Sequence, residues 1–299
     1  MAFEPPRRLV SALTERYGAP GADAWLGRLP ALAAEAVARR GLDVERVVAP
    51  GGRDSLVLLV RRPGAEPATL KIAPPFAGPG AERGALAHWK GWGAALTYDT
   101  DGTPDDGSVL LERLRPEVSL RSLPDAKALL EGADTIRKLW VEPPAGHGFE
   151  TVAERTLREA APMRDAGAPD VLVDAALEAR AAMTASASES LLLHGAFRQG
   201  KVLAGERAPW LAVGPEPVVG ERAFDLARLA RDRVEDLIAS ESGASTARRR
   251  VNRLADSLDV DRERLRAWTL YRAVESATRA LRADRDAAAE VLLEYASWL

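Results

Sequence analysis

The sequence predicts an α+β fold, with its strands gathered in the first third of the chain and helices behind them. Three observations carry that expectation. Between Val47 and Leu114, short apolar runs are separated by clusters of Pro, Gly and Asp, the pattern of strands joined by turns. Beyond Pro116, residues 122–186 and 221–299 are Ala/Leu/Arg stretches with apolar side chains three and four apart, as in Leu265, Trp268, Thr269, Arg272 and Ala273. One β-like interruption, residues 190–220, breaks the helical part with apolar triplets between Gly and Pro, and such an interruption is where functional groups are expected.

Taken in order, residues 20–46 place Trp25, Leu26, Leu29, Leu32 and Val37 at near-helical spacing after a Pro-Gly start, which predicts an amphipathic helix. From Val47 to Ile72 the period changes: SLVLLVRR and ATLKIA, joined by a PGAEP turn, read as an antiparallel meander. Residues 81–95 are helical as far as their glycines. LTYDTDGTPDDGSVLLERL then gives two strands around a polar loop. The acidic residues of that loop, Asp99, Asp101, Asp105 and Asp106, lack the spacing of a calcium-binding loop and read as a solvated hairpin. Trp89, Trp92, Trp210, Trp268 and Trp298 sit in apolar contexts and are assigned to the core. The basic stretch ARRRVNR at 247–253 is assigned to an exposed helix face.

Composition narrows the function classes. Lys+Arg number 41 against 44 Asp+Glu, a balance that leaves no excess cation for a phosphate-backbone surface and so argues against nucleic acid as a partner. The absence of cysteine excludes disulfides, thiolate metal sites and a thiol nucleophile. Nowhere is there the apolar run of about 18 residues that a membrane helix needs, and the start MAFEPPRRLV has no apolar core of an export signal. The expectation is a soluble, cytoplasmic bacterial protein with no membrane partner. Its basic residues are nearly all arginine, which makes each of the five lysines, Lys71, Lys90, Lys127, Lys138 and Lys201, more informative.

Seven segments, in order, resemble one family: ADAWLGRLPAL, ATLKIAPP, ERGALAHWKGWGA, SVLLERLRPEVSL, LLLHGAFRQGKVL, PWLAVGPEPVVGERAFDLARL and DRERLRAWTLYRAVESA. The chain resembles the aminoglycoside phosphotransferases, in their streptomycin 6-phosphotransferase and hydroxyurea phosphotransferase branch. The resemblance implies a two-lobed protein-kinase-like fold, with an N-lobe at 1–114 holding a small sheet plus a helix, and a larger helical C-lobe at 115–299 carrying the catalytic segment. It further implies ATP or ADP as cofactor. Lys71 matches the strand lysine that holds the nucleotide's phosphates and Glu82 its partner on the next helix, against the alternative that Lys71 is an exposed strand residue. Glu112-Arg113-Leu114 matches the hinge whose backbone reads adenine. Gly51 and Gly52 could belong to a phosphate-covering loop or to an ordinary hairpin turn.

The catalytic segment departs from the family's His-Gly-Asp-Leu-His-x-Gly-Asn pattern and reads His194-Gly195-Ala196-Phe197-Arg198-Gln199-Gly200-Lys201. Ala196 stands where the resemblance implies a proton-accepting Asp, and Lys201 where it implies a magnesium-binding Asn; alanine accepts no proton and lysine offers no oxygen to a metal. The family's second metal-binding Asp lies in a segment like Ile-Asp-Pro-Lys-Pro, which here reads Val213-Gly214-Pro215-Glu216-Pro217, with Gly214 in place of the carboxylate. By this resemblance the catalytic Asp and both magnesium ligands are absent. Lys201, with Arg198, is open to two readings: a cation in the place of the metal that neutralises an anion, or a side chain that faces solvent or pairs with Glu206, Glu216 or Asp225. Glu216 could serve as a substitute acid, although prolines on both sides restrict it. Asp225 and His194 are expected to brace the loop.

The favoured expectation is a catalytically degenerate, pseudokinase-like member of this family, one that binds a nucleotide, a small molecule or a protein partner without transferring phosphate. Two alternatives stand beside it. One is an active ATP-dependent phosphotransferase on an aminoglycoside-like or small hydroxylated substrate, using displaced acids such as Glu216. The other is a cleft adopted for different biosynthetic chemistry.

Overall fold

The computed structural model describes residues 3–99, 102, 103 and 105–299. The chain runs through α1 (Arg7–Tyr17), α2 (Ala19–Arg39), β1 (Asp43–Val47), β2 (Leu56–Arg61), β3 (Pro67–Ile72), α3 (Pro79–Trp89), β4 (Ser108–Glu112) and β5 (Arg115–Ser119). It continues through α4 (Asp125–Arg137), α5 (Val152–Ala160), α6 (Asp170–Ala185), β6 (Leu191–Leu193), β7 (Val202–Ala204), β8 (Trp210–Ala212) and β9 (Val218–Gly220). It ends in α7 (Arg222–Ala230), α8 (Val234–Ile238), α9 (Gly243–Leu258), α10 (Arg262–Leu281) and α11 (Asp286–Ser297). These elements form two compact units: the chain up to Val118 together with Leu203–Val213, and Ser119–Val202 together with Gly214–Leu299. The split at 114/115 read from the sequence therefore differs from this one in giving residues 115–118 and 203–213 to the helical half. Residues 203–213 join the first unit because β7 and β8 extend a sheet begun by β5, in the order β5-β7-β8, and because Leu203, Leu211 and Val213 pack with Ala95 and Leu114.

In the first unit the strands β1-β2-β3-β4 form an antiparallel sheet in sequence order. Alternation decides what each face carries. Leu56, Leu58 and Val60 lie opposite Ile72, Leu70 and Ala68, and all six are buried together with Leu9 and Leu13 of α1 and Trp25, Leu29 and Ala33 of α2. Each such Leu or Ile contributes about 1.5–3 kcal/mol of apolar burial. The side chains one position out of phase, Val57, Lys71 and Val109, share a row across the other face.

Several boundaries differ from the sequence expectation. The helix read over 20–46 stops at Arg39, because the N–H groups of Gly41 and Leu42 turn back onto the carbonyls of Ala38 and Val37, and Asp43 onward is strand. Helix α1, buried through Leu9, Ala12 and Leu13, precedes it and is not among the elements expected from the sequence. The first of the two strands expected around the acidic loop is only an isolated bridge, Thr97 to Leu111, because the Asp99 carboxylate takes the Leu110 N–H at 3.1 Å in place of a continued backbone ladder. Asp101 of that loop lies outside the described residues. Trp92 is 65% exposed rather than core, since α3 ends in Lys90 at φ 49° and the chain leaves the helix before Trp92. Trp89 and Trp268 are buried, Trp210 and Trp298 half-buried. Within the basic stretch, Arg250 is buried and donates to Asp232 O at 2.6 Å and Asp125 Oδ2 at 2.5 Å, while Arg248 and Arg249 are exposed.

The second unit is built around α10, which packs against α6, α7, α9 and α11. Trp268 and Tyr271 of α10 are buried; Trp268 meets Phe224 of α7 edge-on at 5.1 Å and Tyr271 at 5.7 Å. The two-stranded sheet β6–β9, with Leu192 opposite Val219, presents the loop that follows β6. Among the described residues no helix is long and apolar enough to cross a membrane.

Candidate functional site

In the first unit Lys71 lies on the sheet face opposite the Leu70 row, and its ammonium pairs with the Glu82 carboxylate on α3. The two side chains are 14% and 10% exposed, so Lys71 is not an exposed strand residue; desolvation makes this pairing matter more than at a surface. Glu112 closes β4. Its N–H donates to Leu96 O at 2.9 Å, and its carboxylate accepts from Leu96 N–H at 2.6 Å and from Arg207 at 2.7 Å. Leu114 is buried in the cluster with Ala95 and Leu211. Arg113 is spent on the sheet edge, donating to Ala68 O at 2.9 Å, Val60 O at 2.7 Å and Glu45 at 2.9 Å. Around Gly52 the chain turns back on Ser55, whose carbonyl would stand 2.8 Å from an added Cβ.

In the second unit the loop after β6 is held from every side. Asp225, buried on α7, accepts the backbone N–H groups of His194 and Gly195, both at 2.9 Å, and the Trp140 indole N–H at 3.4 Å. Burial pushes the Asp225 carboxyl up, against Arg272 and these donors, which favour its charged form. Arg272 donates to Gly195 O at 2.8 Å and Phe224 O at 2.9 Å; burial, and next the charge of Arg228, bring its pKa down to about 10. His194 O accepts Glu216 N–H at 2.9 Å, and Arg155 of α5 donates to Glu216 O at 2.8 Å. His194 Nδ1 accepts the Ala196 N–H at 3.3 Å. Gly195, at φ 73°, cannot be replaced cheaply, because a Cβ there would lie 1.9 Å from Glu216 O.

The predicted catalytic positions lie along this braced loop. Ala196 is fully buried and brings a methyl group. Gln199, also buried, donates its N–H to Asp232 and accepts from Arg233 Nε at 2.6 Å, which fixes the single 3-10 turn Gln199–Lys201. Lys201 reaches across to the 214–216 segment: its Nζ donates to Gly214 O at 2.8 Å and to Glu216 Oε1 at 3.2 Å. Gly214 is in the left-handed region at φ 61°. Arg198 is half-buried beside Gly200, whose added Cβ would stand 3.3 Å from its guanidinium. The structure therefore brings Lys201, Gly214 and Glu216 together, and separately Lys71 and Glu82. Of the acids weighed as partners of Lys201, it pairs with Glu216. Sequence reasoning missed Arg155, which holds the Glu216 carbonyl, and Arg272, which holds the Gly195 carbonyl; the one available signal was a charged residue at a core-spaced position of α10.

A small antiparallel sheet whose third strand carries a lysine paired to a helix glutamate, followed by a helical unit with a braced loop after a short strand, is a kinase-like fold of the small-molecule phosphotransferase class. The chain belongs to the family described as aminoglycoside/hydroxyurea antibiotic resistance kinase, whose profile matches residues 40–284. It is 32% identical over 281 residues to a streptomycin 6-kinase of Streptomyces glaucescens, covering 92% of this chain and 90% of that one. It is 35% identical over 284 residues to a hydroxyurea phosphotransferase of Kitasatospora aureofaciens, covering 91% and 79%. Among solved structures, a thermostable mutant of aminoglycoside phosphotransferase APH(4)-Ia, in a ternary complex with ADP and hygromycin B, shares the fold at TM-score 0.59 and 17% identity, over 88% of this chain and 96% of that one.

Proposed function

We propose that this protein is a ligand-binding member of the antibiotic kinase family, one that keeps the nucleotide-side framework and has given up efficient phosphoryl transfer. The observation that carries this reading is the Lys201 ammonium on Gly214 O and Glu216, at two of the positions where the family resemblance implies oxygen ligands for magnesium. The donor set at Ala196, Lys201 and Gly214 does not fit a divalent cation: it offers a methyl group, a positive charge and one carbonyl already occupied by that charge. No step through a metal follows for this chain. Without a base at 196 and without metal electrostatics, transfer should fall at least about a thousandfold below that of a complete site. The Lys71–Glu82 pair supports retained binding of ATP or ADP.

A second reading is favoured by the relatives, whose names, streptomycin 6-kinase and hydroxyurea phosphotransferase, speak for an active enzyme more than for a binding protein. In that reading Glu216 supplies the missing acid. Against it stands the use of Glu216, whose carboxylate pairs with Lys201 and whose carbonyl is held by Arg155.

A thermal-shift titration with ATP and ADP, each in magnesium and in EDTA, tests the binding half. The expected result is a stabilisation that survives EDTA and is lost in Lys71→Ala. A shift seen only with magnesium would speak for a metal-dependent, active site instead. The transfer half is tested by restoring the family residues: Ala196→Asp, Lys201→Asn and Gly214→Asp together should create magnesium-dependent transfer to streptomycin or hydroxyurea that the natural chain lacks. Asp tolerates the left-handed region better than most residues, so Gly214→Asp is accessible. Because Ala196 is buried, a second variant with only the changes at 201 and 214 accompanies it and should recover magnesium dependence of ATP binding.

A further inference from the structure

We infer that Lys201 is the resident cation of a metal-independent anion site in the second unit, one that takes a phosphate or carboxylate group of a ligand, with the Glu216 carboxylate as its resting partner. The inference rests on the reading above and adds the ligand's chemistry to it. Lys201 is fixed at its base by the 3-10 turn Gln199–Lys201, which Asp232 and Arg233 hold in place, and by its own N–H on Arg198 O at 2.8 Å. Its Nζ is anchored on Gly214 O at 2.8 Å, while the contact to Glu216 Oε1 is longer, at 3.2 Å. A firm neutral anchor and a looser charged partner leave the carboxylate as the group that an entering anion can replace.

The charges around Glu216 point the same way. Its carboxylate pairs with Lys201 at 3.2 Å and also feels the charge of Arg228 of α7. Its backbone carbonyl takes a third positive group, Arg155. The prolines on both sides keep the main chain of Glu216 in place while its side chain, 28% exposed, can swing out. Lys201 is 17% exposed, so it is accessible and yet partly desolvated, the condition in which an ammonium binds an anion more strongly than at a surface. An anion that displaced Glu216 would meet the Lys201 ammonium with no metal between. A cationic ligand would meet the same ammonium and be repelled.

The test is isothermal titration of the full chain, in EDTA at low salt, with tripolyphosphate, ATP and citrate as probes. Tripolyphosphate should bind, weaken about tenfold or more in Lys201→Met, recover in part in Lys201→Arg, and tighten severalfold in Glu216→Gln, where the competing carboxylate is gone. Tightening for tripolyphosphate and citrate alike identifies a general anion site, whereas tightening for tripolyphosphate and ATP but not citrate identifies a phosphate site; either supports the inference. Unchanged binding in Lys201→Met, or weaker binding in Glu216→Gln, overturns it. Lys71→Met separates the two claims: anion binding lost there but kept in Lys201→Met removes this site and leaves the retained nucleotide framework standing. Efficient transfer by the natural chain would remove the binding-only reading, whatever the anion titrations show.

Discussion

At the scale of the residue, the candidate site is a rigid frame. Gly195 shows the rigidity: its positive φ and the 1.9 Å approach of Glu216 O to a virtual Cβ leave no room for a side chain. Gly195→Ala should therefore cost more than about 3 kcal/mol, read as a lower denaturant midpoint, and it should release Glu216 from His194; a variant as stable as the natural protein would show that the loop gives way easily. The departure of Ala196, Lys201 and Gly214 from the pattern that the family resemblance implies was legible in the sequence alone. The partner of Lys201 was not legible. Three acids were open on sequence grounds, and only the loop's path, set by Asp225, Arg272 and Arg155 acting on backbone groups, brings Glu216 to it.

At the scale of the element, α5, α7 and α10 share a layer of charge inside the second unit. Glu159 of α5 is pushed up to about 7, first by burial and next by Glu275 of α10, with Arg272, Arg155 and Arg279 opposing. Burial, and next Arg228, bring Arg231 down to about 9. The sign follows from proton binding: a carboxyl with a raised native pKa holds its proton more tightly when folded, so stability falls as pH rises from the ordinary carboxylate value of 4.5 through about 7. The Glu159→Gln variant should match the natural protein at pH 5 and exceed it at pH 8.5, by an amount of the order of 2 kcal/mol, measured by denaturant unfolding at both values. A loss of stability at pH 8.5 would mean that the arginines, not burial, decide this group. Helices and strands were mostly legible from spacing; their ends were not. The run over 20–46 stays periodic past Arg39 although the backbone has already turned back on itself at Gly41, and Thr97 pairs without forming a strand because a side chain, Asp99, takes a ladder bond.

At the scale of the whole molecule, the resemblance of seven segments, in order, to one family was enough to expect the kinase-like architecture. The return of residues 203–213 to the first unit was not, since β7 and β8 are three residues each and their partner β5 is distant in sequence. Family and fold together leave one question that decides what the protein does, and one assay answers it most directly. Purified natural chain and Glu216→Ala are incubated with labelled ATP, magnesium and either streptomycin or hydroxyurea, and product is counted over hours. The expected result is no transfer above background with either substrate and no difference between the two proteins. Sustained turnover by the natural chain that disappears in Glu216→Ala would contradict it, and would make Glu216 the acid of a working phosphotransferase.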